Sequence, residues 1–274
     1  MLIDSHAHVN FVAFKDDSKE VLDDCLKNDI WVINVGSQFS TSKRAVEMAQ
    51  KYEKGIYAVV GLHPIHLSNL DVDEQEVSFK TREEEFDHDK YKKLAQQEKV
   101  VAIGETGLDY FHIKKDDQES KERQKKVLVQ LLQLADELKL PIVLHCRDAY
   151  DEMLEILEQN KNLLNSKGVI HCYGGSFEQA ERFISLGMSI GITGIVTFGK
   201  KAQELQEVVK SIDIKDILIE TDCPYLAPEP HRGKRNQPQY VKHVAEKVAE
   251  IKDISYNKVS EITTENAINL FKLK

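Results

Sequence analysis

Two histidines one residue apart, His6 and His8, stand in the opening run Leu2-Ile3-Asp4-Ser5-His6-Ala7-His8-Val9. In a strand, residues i and i+2 share a face, so both imidazoles project from one rigid edge as a pair of metal ligands. Alone, such a pair is as readily two polar residues on a solvated face. Hydrolytic metal sites add carboxylates and further histidines and keep a position open for water. Other strand ends supply them: Gly104-Glu105-Thr106-Gly107-Leu108-Asp109, His145-Cys146-Arg147-Asp148, His171-Cys172-Tyr173-Gly174-Gly175 and Glu220-Thr221-Asp222-Cys223-Pro224 each follow a short apolar run.

His6, His8, Glu105, His145, His171 and Asp222 are therefore six candidate ligands. One hydrolytic zinc uses about three protein groups plus water, so two divalent ions are expected about 3.5–4 Å apart. Glu105, central in strand order, is the expected bridge. His6, His8 and Asp222 fall to the first ion, and His145 and His171 to the second. Asp222 is also a candidate general base, so Glu105 and Asp222 are the expected catalytic pair. Cys146, Cys172 and Cys223 each directly follow a proposed ligand and should face away from the ions. No Gly-x-Ser-x-Gly elbow occurs, which leaves nucleophilic serine chemistry unsupported.

Groups able to hold substrate lie near the same ends. His63, in Gly61-Leu62-His63-Pro64, is at the level of the ligands. Arg147 shares a face with His145, and its planar guanidinium suits a phosphate bidentately. Arg232, Lys234 and Arg235 gather beyond the last strand, a basic loop on a chain of 37 basic and 46 acidic residues and net charge −9. That balance argues against a protein that coats nucleic acid, although a locally basic mouth remains compatible with a nuclease.

The elements that must carry these residues are eight β-branched runs: Leu2–Asp4, Ile30–Val35, Ile56–Val60, Val100–Ile103, Pro141–Leu144, Gly168–Ile170, Met188–Ile192 and Asp216–Ile219. Helical spacing follows in segments such as Val127 to Leu138 and Met153 to Leu157. Continuous apolar runs fit parallel strands covered on both faces, and eight strand–helix units point to an α/β (β/α)8 barrel with catalytic groups at the C-terminal strand ends. An open doubly wound sheet is the alternative, but no Gly-x-Gly-x-x-Gly follows a strand. Helices over Tyr240 to Ile251 and Lys258 to Phe271 close the outer layer. The charged stretch Asp71 to Lys93, with an acidic insertion over 71–85, reads as a solvated loop leading into a helix. A single domain over 1–274 is expected, soluble and cytoplasmic, with no membrane span, no disulfide framework from four scattered cysteines and no obligate protein partner.

Taken together, Ile3-Asp4-Ser5-His6-Ala7-His8, Gly61-Leu62-His63-Pro64, Ile103 to Tyr110, Leu144 to Ala149, Ile219 to Pro228 and Arg232-Gly233-Lys234-Arg235-Asn236 resemble the TatD family of metal-dependent deoxyribonucleases, within the wider amidohydrolase-like barrels. The resemblance runs from the first strand to the loop after the eighth, leaving the last two helices outside. It implies a dinuclear site made by the same six residues, with magnesium, manganese or zinc among the family's metals, and phosphodiester hydrolysis, often as a 3′-to-5′ exonuclease on single-stranded DNA. Asn10, Ile65 and Gln237 depart from the family pattern, and none is a candidate ligand. DNA ends or short nucleic acids are the expected substrates. The rival readings are hydrolysis of an amide, lactone or aminoacyl ester, and a non-catalytic metal-binding protein.

Overall fold

The computed structural model describes residues 1–68 and 83–274, and between them only the backbone of two paired segments. Strand β1 (Leu2–Ala7) leads through α1 (Ser18–Lys27) to β2 (Ile30–Val35), α2 (Phe39–Ala49) and β3 (Ile56–Val60). An antiparallel pair follows, β4 (Asp71–Glu74) with β5 (Val77–Lys80). This backbone pairing stands where a solvated loop was expected; the side chains of the acidic insertion up to residue 82 lie outside the described residues. The expected helix is α3 (His88–Ala95). Then come β6 (Val100–Asp109), α4 (Gln118–Leu138), β7 (Ile142–Arg147), α5 (Tyr150–Gln159), β8 (Gly168–Ile170), α6 (Phe177–Ser185), β9 (Met188–Ile192), α7 (Gln203–Ser211), β10 (Ile217–Ile219), α8 (Val241–Lys252) and α9 (Tyr256–Phe271).

Eight strands form one parallel sheet in the order β1-β2-β3-β6-β7-β8-β9-β10. The circle closes through the segment after β10. Ala7 bridges Cys223, the Asp222 amide donates to the carbonyl of His6 (2.9 Å), and the His8 amide donates to that of Cys223 (2.8 Å). Buried Asp4 clamps the same seam, accepting from the amide (2.9 Å) and hydroxyl (2.6 Å) of Thr221. This is a (β/α)8 barrel, and the open-sheet alternative falls.

Strand alternation divides the core in two. Leu2, Val32, Ile56, Ala58, Ile103, Leu144, Ile170 and Ile217 pack outward against the helices. Ile3, Ile33, Val59, Val101, Val143, Val169 and Leu218 fill the interior together with Phe271 and Leu273 from the C-terminal end. The last helix therefore does more than extend the outer layer: it plugs the bottom of the barrel, where the Tyr57 hydroxyl donates to the Lys274 carbonyl (2.5 Å). Interior parity also aims the chemistry. His145 lies two residues after Val143, His171 two after Val169, and Glu220 and Asp222 two and four after Leu218, so all continue the inward-facing rows at the C-terminal end.

One strand runs further than expected: β6 continues through Glu105 to Asp109, whereas β1, read from Leu2 to Val9, ends at Ala7 and leaves His8 just beyond it; each crosses a register shift, between Ile103 and Thr106 and between Asp4 and Ala7. Such bulges re-aim a side chain, and here they bring His6 and Glu105 inward. Beside Glu105, Gly107 has φ +147°, and a Cβ there would lie 1.9 Å from the His145 carbonyl oxygen. Only glycine allows β6 and β7 to approach so closely.

Candidate active site

The six candidate ligands converge on the C-terminal rim. Nε2 of His6 and Nε2 of His8 are 3.3 Å apart. Oε2 of Glu105 lies 3.4 Å from the former and 3.8 Å from the latter, and Oδ1 of Asp222 lies 3.9 and 3.3 Å from them. Donors about 2.0–2.2 Å from one ion in a tetrahedron are about 3.3–3.6 Å from each other, which the His6–His8, His6–Glu105 and His8–Asp222 distances match and the other two slightly exceed. Glu105 turns its other oxygen, Oε1, to a second group: Nδ1 of His145 at 3.1 Å, Nε2 of His171 at 3.0 Å and Nε2 of His63 at 3.3 Å. One carboxylate thus touches both halves of the site.

Each ring is held from behind. Nδ1 of His8 donates to the Val35 carbonyl (2.8 Å), and Phe11 stacks on the ring with centroids 4.3 Å apart. His6 stacks on His171 at 3.7 Å; among the described residues its buried Nδ1 has no hydrogen-bond partner. Nε2 of His145 is 3.0 Å from Oδ2 of Asp109, and Nδ1 of His171 is 3.3 Å from Oε1 of Glu220. Residues carrying functional groups also sit in left-handed backbone: Cys172 has φ +47° and Asp222 φ +56°, a conformation asparagine and aspartate tolerate better than most.

The electrostatics follow from crowding in a dry rim. Burial works to raise the Glu105 carboxyl, but the charges of His63, His171 and His6 outweigh it and hold Glu105 well below the usual carboxylate range. Asp222 is lowered in the same way, against burial, by the His8 hydrogen bond and by His171 and His6. Burial alone would lower His145 and His171; the hydrogen bonds that His145 donates to Asp109 and Glu105 raise the first, and Glu105 followed by Glu220 raises the second. Burial together with the neighbouring His171 charge lowers His6, and burial dominates at His63 despite Glu105. Two ionised carboxylates among five imidazoles, two of them facing at 3.3 Å, form a donor set suited to divalent cations. The clusters of His6, His8 and Asp222 and of Glu105, His145 and His171 can each hold one; His6, His171 and Glu220, and His63, Asp109 and His145, are two further groups with metal-capable spacing.

Among the expected substrate groups, His63 lies in the site against Glu105, and its ring is 4.2 Å from that of His145. Arg147 stands at the mouth with its guanidinium 3.7 Å from the ring centroid of Phe111, which is 55% exposed. Arg232 lies on Phe198 at 3.9 Å, and Lys234 is exposed in the same loop. Arg235 does not join them: it binds both oxygens of Asp17 (3.0 and 2.5 Å) and the Ala13 carbonyl (2.7 Å), pinning the loop to the segment after β1. No cysteine enters any metal-capable cluster among the described residues. Asn10 is buried and donates to the carbonyls of Val35 and Thr41 (both 3.0 Å), a structural duty. Sequence reasoning assigned no role to Asp109, Glu220 or Phe11. The period of two was the missed signal for Glu220, which shares a row with Asp222.

Residues 3–272 match the family described as TatD related DNase. The chain belongs to that family. The match includes the last two helices, which the motif resemblance had left outside. An uncharacterized metal-dependent hydrolase of Bacillus subtilis is 39% identical over 274 residues, covering all of both chains. A solved TatD homologue from Escherichia coli superposes with TM-score 0.85 at 28% identity, covering 100% of this chain and 98% of that one. A TatD family hydrolase from Entamoeba histolytica superposes with TM-score 0.78 at 26% identity over 98% of this chain and 97% of its own. The chain is thus a member of a metal-dependent hydrolase family on a (β/α)8 barrel. Among the described residues, no helix is long and apolar enough to cross a membrane.

Proposed function

We propose that this TatD-family barrel is a deoxyribonuclease that removes nucleotides from the 3′ end of single-stranded DNA, with two divalent cations held by His6, His8, Glu105, His145, His171 and Asp222. When bound, such cations supply positive charge to phosphate oxygens and lower the pKa of water. The observation that carries the reading is Glu105, whose two oxygens face different histidine groups at a rim that also presents Arg147 on an exposed phenylalanine. Paired cation sites suit a phosphodiester, and an aromatic face beside a guanidinium suits a base next to its phosphate.

The chain's own groups have definable tasks. Asp222, ionised and 14% exposed, is open to solvent and accepts the proton of the attacking water. The new bond joins water oxygen to phosphorus; the bond that breaks runs from phosphorus to the 3′ oxygen of the preceding nucleotide, which leaves as a hydroxyl after taking up a proton from solvent, releasing a nucleoside 5′-monophosphate. Arg147, Arg232 and Lys234 hold phosphate oxygens, while His63 orients the scissile group. Carbonyl hydrolysis on this scaffold would have no use for a basic loop.

The test is to strip the protein with chelator and incubate it with 3′- and 5′-labelled single-stranded DNA, restoring magnesium, manganese or zinc in turn. Stepwise shortening from the 3′ end that Asp222→Asn lacks supports the reading. Absence of cleavage with every ion, in a protein that binds two, moves the search to smaller esters.

A further inference from the structure

His145 and His171 differ from His6 and His8 in what stands behind them. Each points one nitrogen at Oε1 of Glu105 and the other at a buried carboxylate. For His145 these are Nδ1 toward Glu105 (3.1 Å) and Nε2 toward Asp109 (3.0 Å); for His171 they are Nε2 toward Glu105 (3.0 Å) and Nδ1 toward Glu220 (3.3 Å, off the line of a straight hydrogen bond). His8 has only a backbone carbonyl behind it, and His6 no partner among the described residues.

Both outer carboxylates are fixed. Asp109 is 1% exposed; its Oδ1 accepts from the His112 amide (3.0 Å) and its Oδ2 lies 2.9 Å from Nδ1 of His112. Its backbone is tied to Gln124 on α4 through two hydrogen bonds of 2.8 and 3.0 Å. Glu220, also 1% exposed, accepts from the Cys172 amide at Oε1 (2.6 Å) and from the Ser5 hydroxyl at Oε2 (3.3 Å). Gly191 on β9 makes room for it: a Cβ there would lie 2.7 Å from Oε1. Three strands and one missing side chain thus converge to seat this carboxylate beside His171.

We propose that Asp109 and Glu220 are positioning residues for the His145/His171 half of the site, fixing opposite imidazole tautomers so that His145 presents Nδ1 and His171 presents Nε2 to one cation. The inference rests on the reading of these two histidines as ligands. The carboxylates themselves stay outside the coordination shell, and the His6/His8 half, with Asp222 as a direct donor, works without such backing. A carboxylate behind a ligating imidazole fixes its orientation and raises its basicity, and losing one costs about 10- to 100-fold in metal affinity.

The experiment titrates zinc alone into the chelator-stripped full chain by calorimetry, comparing wild type with Asp109→Asn, Glu220→Gln and His171→Ala, each checked for folding by circular dichroism. Wild type should bind two ions. Each carboxamide variant should keep both, with one site about 10- to 100-fold weaker and the other unchanged. His171→Ala should abolish one site; if it does not, the ligand reading and this inference both fall. If it does, but the carboxamides bind as wild type, only the inference falls. Outright loss of an ion in Asp109→Asn would make Asp109 a ligand and also overturn it. Independently of any variant, nitrogen-15 spectra of the zinc-loaded protein should show the ring proton of His145 on Nε2 and that of His171 on Nδ1. The same tautomer in both rings would refute the assignment.

Discussion

Oδ1 of Asp222 stands 3.3 Å from Nε2 of His8 across the seam where the first and last strands meet. The two residues are 214 positions apart, so closing the barrel also assembles the site. Asp222→Asn preserves size and the seam's backbone bonds but removes the negative charge and the proton acceptor. Turnover should fall about 10²- to 10⁴-fold with an unchanged circular dichroism spectrum. Rates within a few-fold of wild type would remove Asp222 from the chemistry.

The basic loop divides by partner. Arg232→Ala and Lys234→Ala should each weaken oligonucleotide binding and reduce the slope of log affinity against log salt by about one, read from titrations between low and moderate salt. Arg235→Ala should leave that slope alone and cost about 0.5–1 kcal/mol of stability, because its guanidinium is committed to Asp17. A change in slope for Arg235→Ala would reverse the division.

Stability should decline as pH falls below neutrality, and His66 should account for part of it. Burial, helped by the neighbouring His63 charge, lowers its pKa from 6.5 to about 3. Between those values the unfolded chain carries a proton that the folded chain refuses, so the unfolded state binds more protons and stability rises with pH. The contribution is complete above about 6.5 and shrinks as pH drops toward 3. Urea midpoints measured at pH 7.5 and 5 should differ less in His66→Gln than in wild type; an equal difference would locate the titration elsewhere.

Gly107→Ala should destabilise by about 2–4 kcal/mol in urea unfolding, since the methyl would meet the His145 carbonyl and a positive φ would be imposed on alanine. A wild-type midpoint would mean that β6 and β7 can part without cost.

Much of this was readable from residue order. Five strand ends with metal-capable side chains stood out because each closes an apolar run, and the barrel followed from eight such runs. The end of β6 was not readable, because Glu105 to Gly107 carry no β-branched apolar signal, and the register shifts in β1 and β6 that re-aim His6 and Glu105 are tertiary events. Asp109 and Glu220 were visible as letters in motifs, but their tasks depend on which nitrogen of a distant histidine they face. Arg235 looked like its basic neighbours until Asp17, 218 residues away, claimed it.

The plug formed by Phe271, Leu273 and the Tyr57–Lys274 contact gives the barrel a floor. Nothing can thread through it. Whatever is hydrolysed at the rim must arrive and depart on the C-terminal side of the barrel, so the spent fragment leaves by the face through which the next one comes. Turnover in such a vessel is governed by clearance as well as by bond cleavage, and a long substrate gains no passage that a short one lacks.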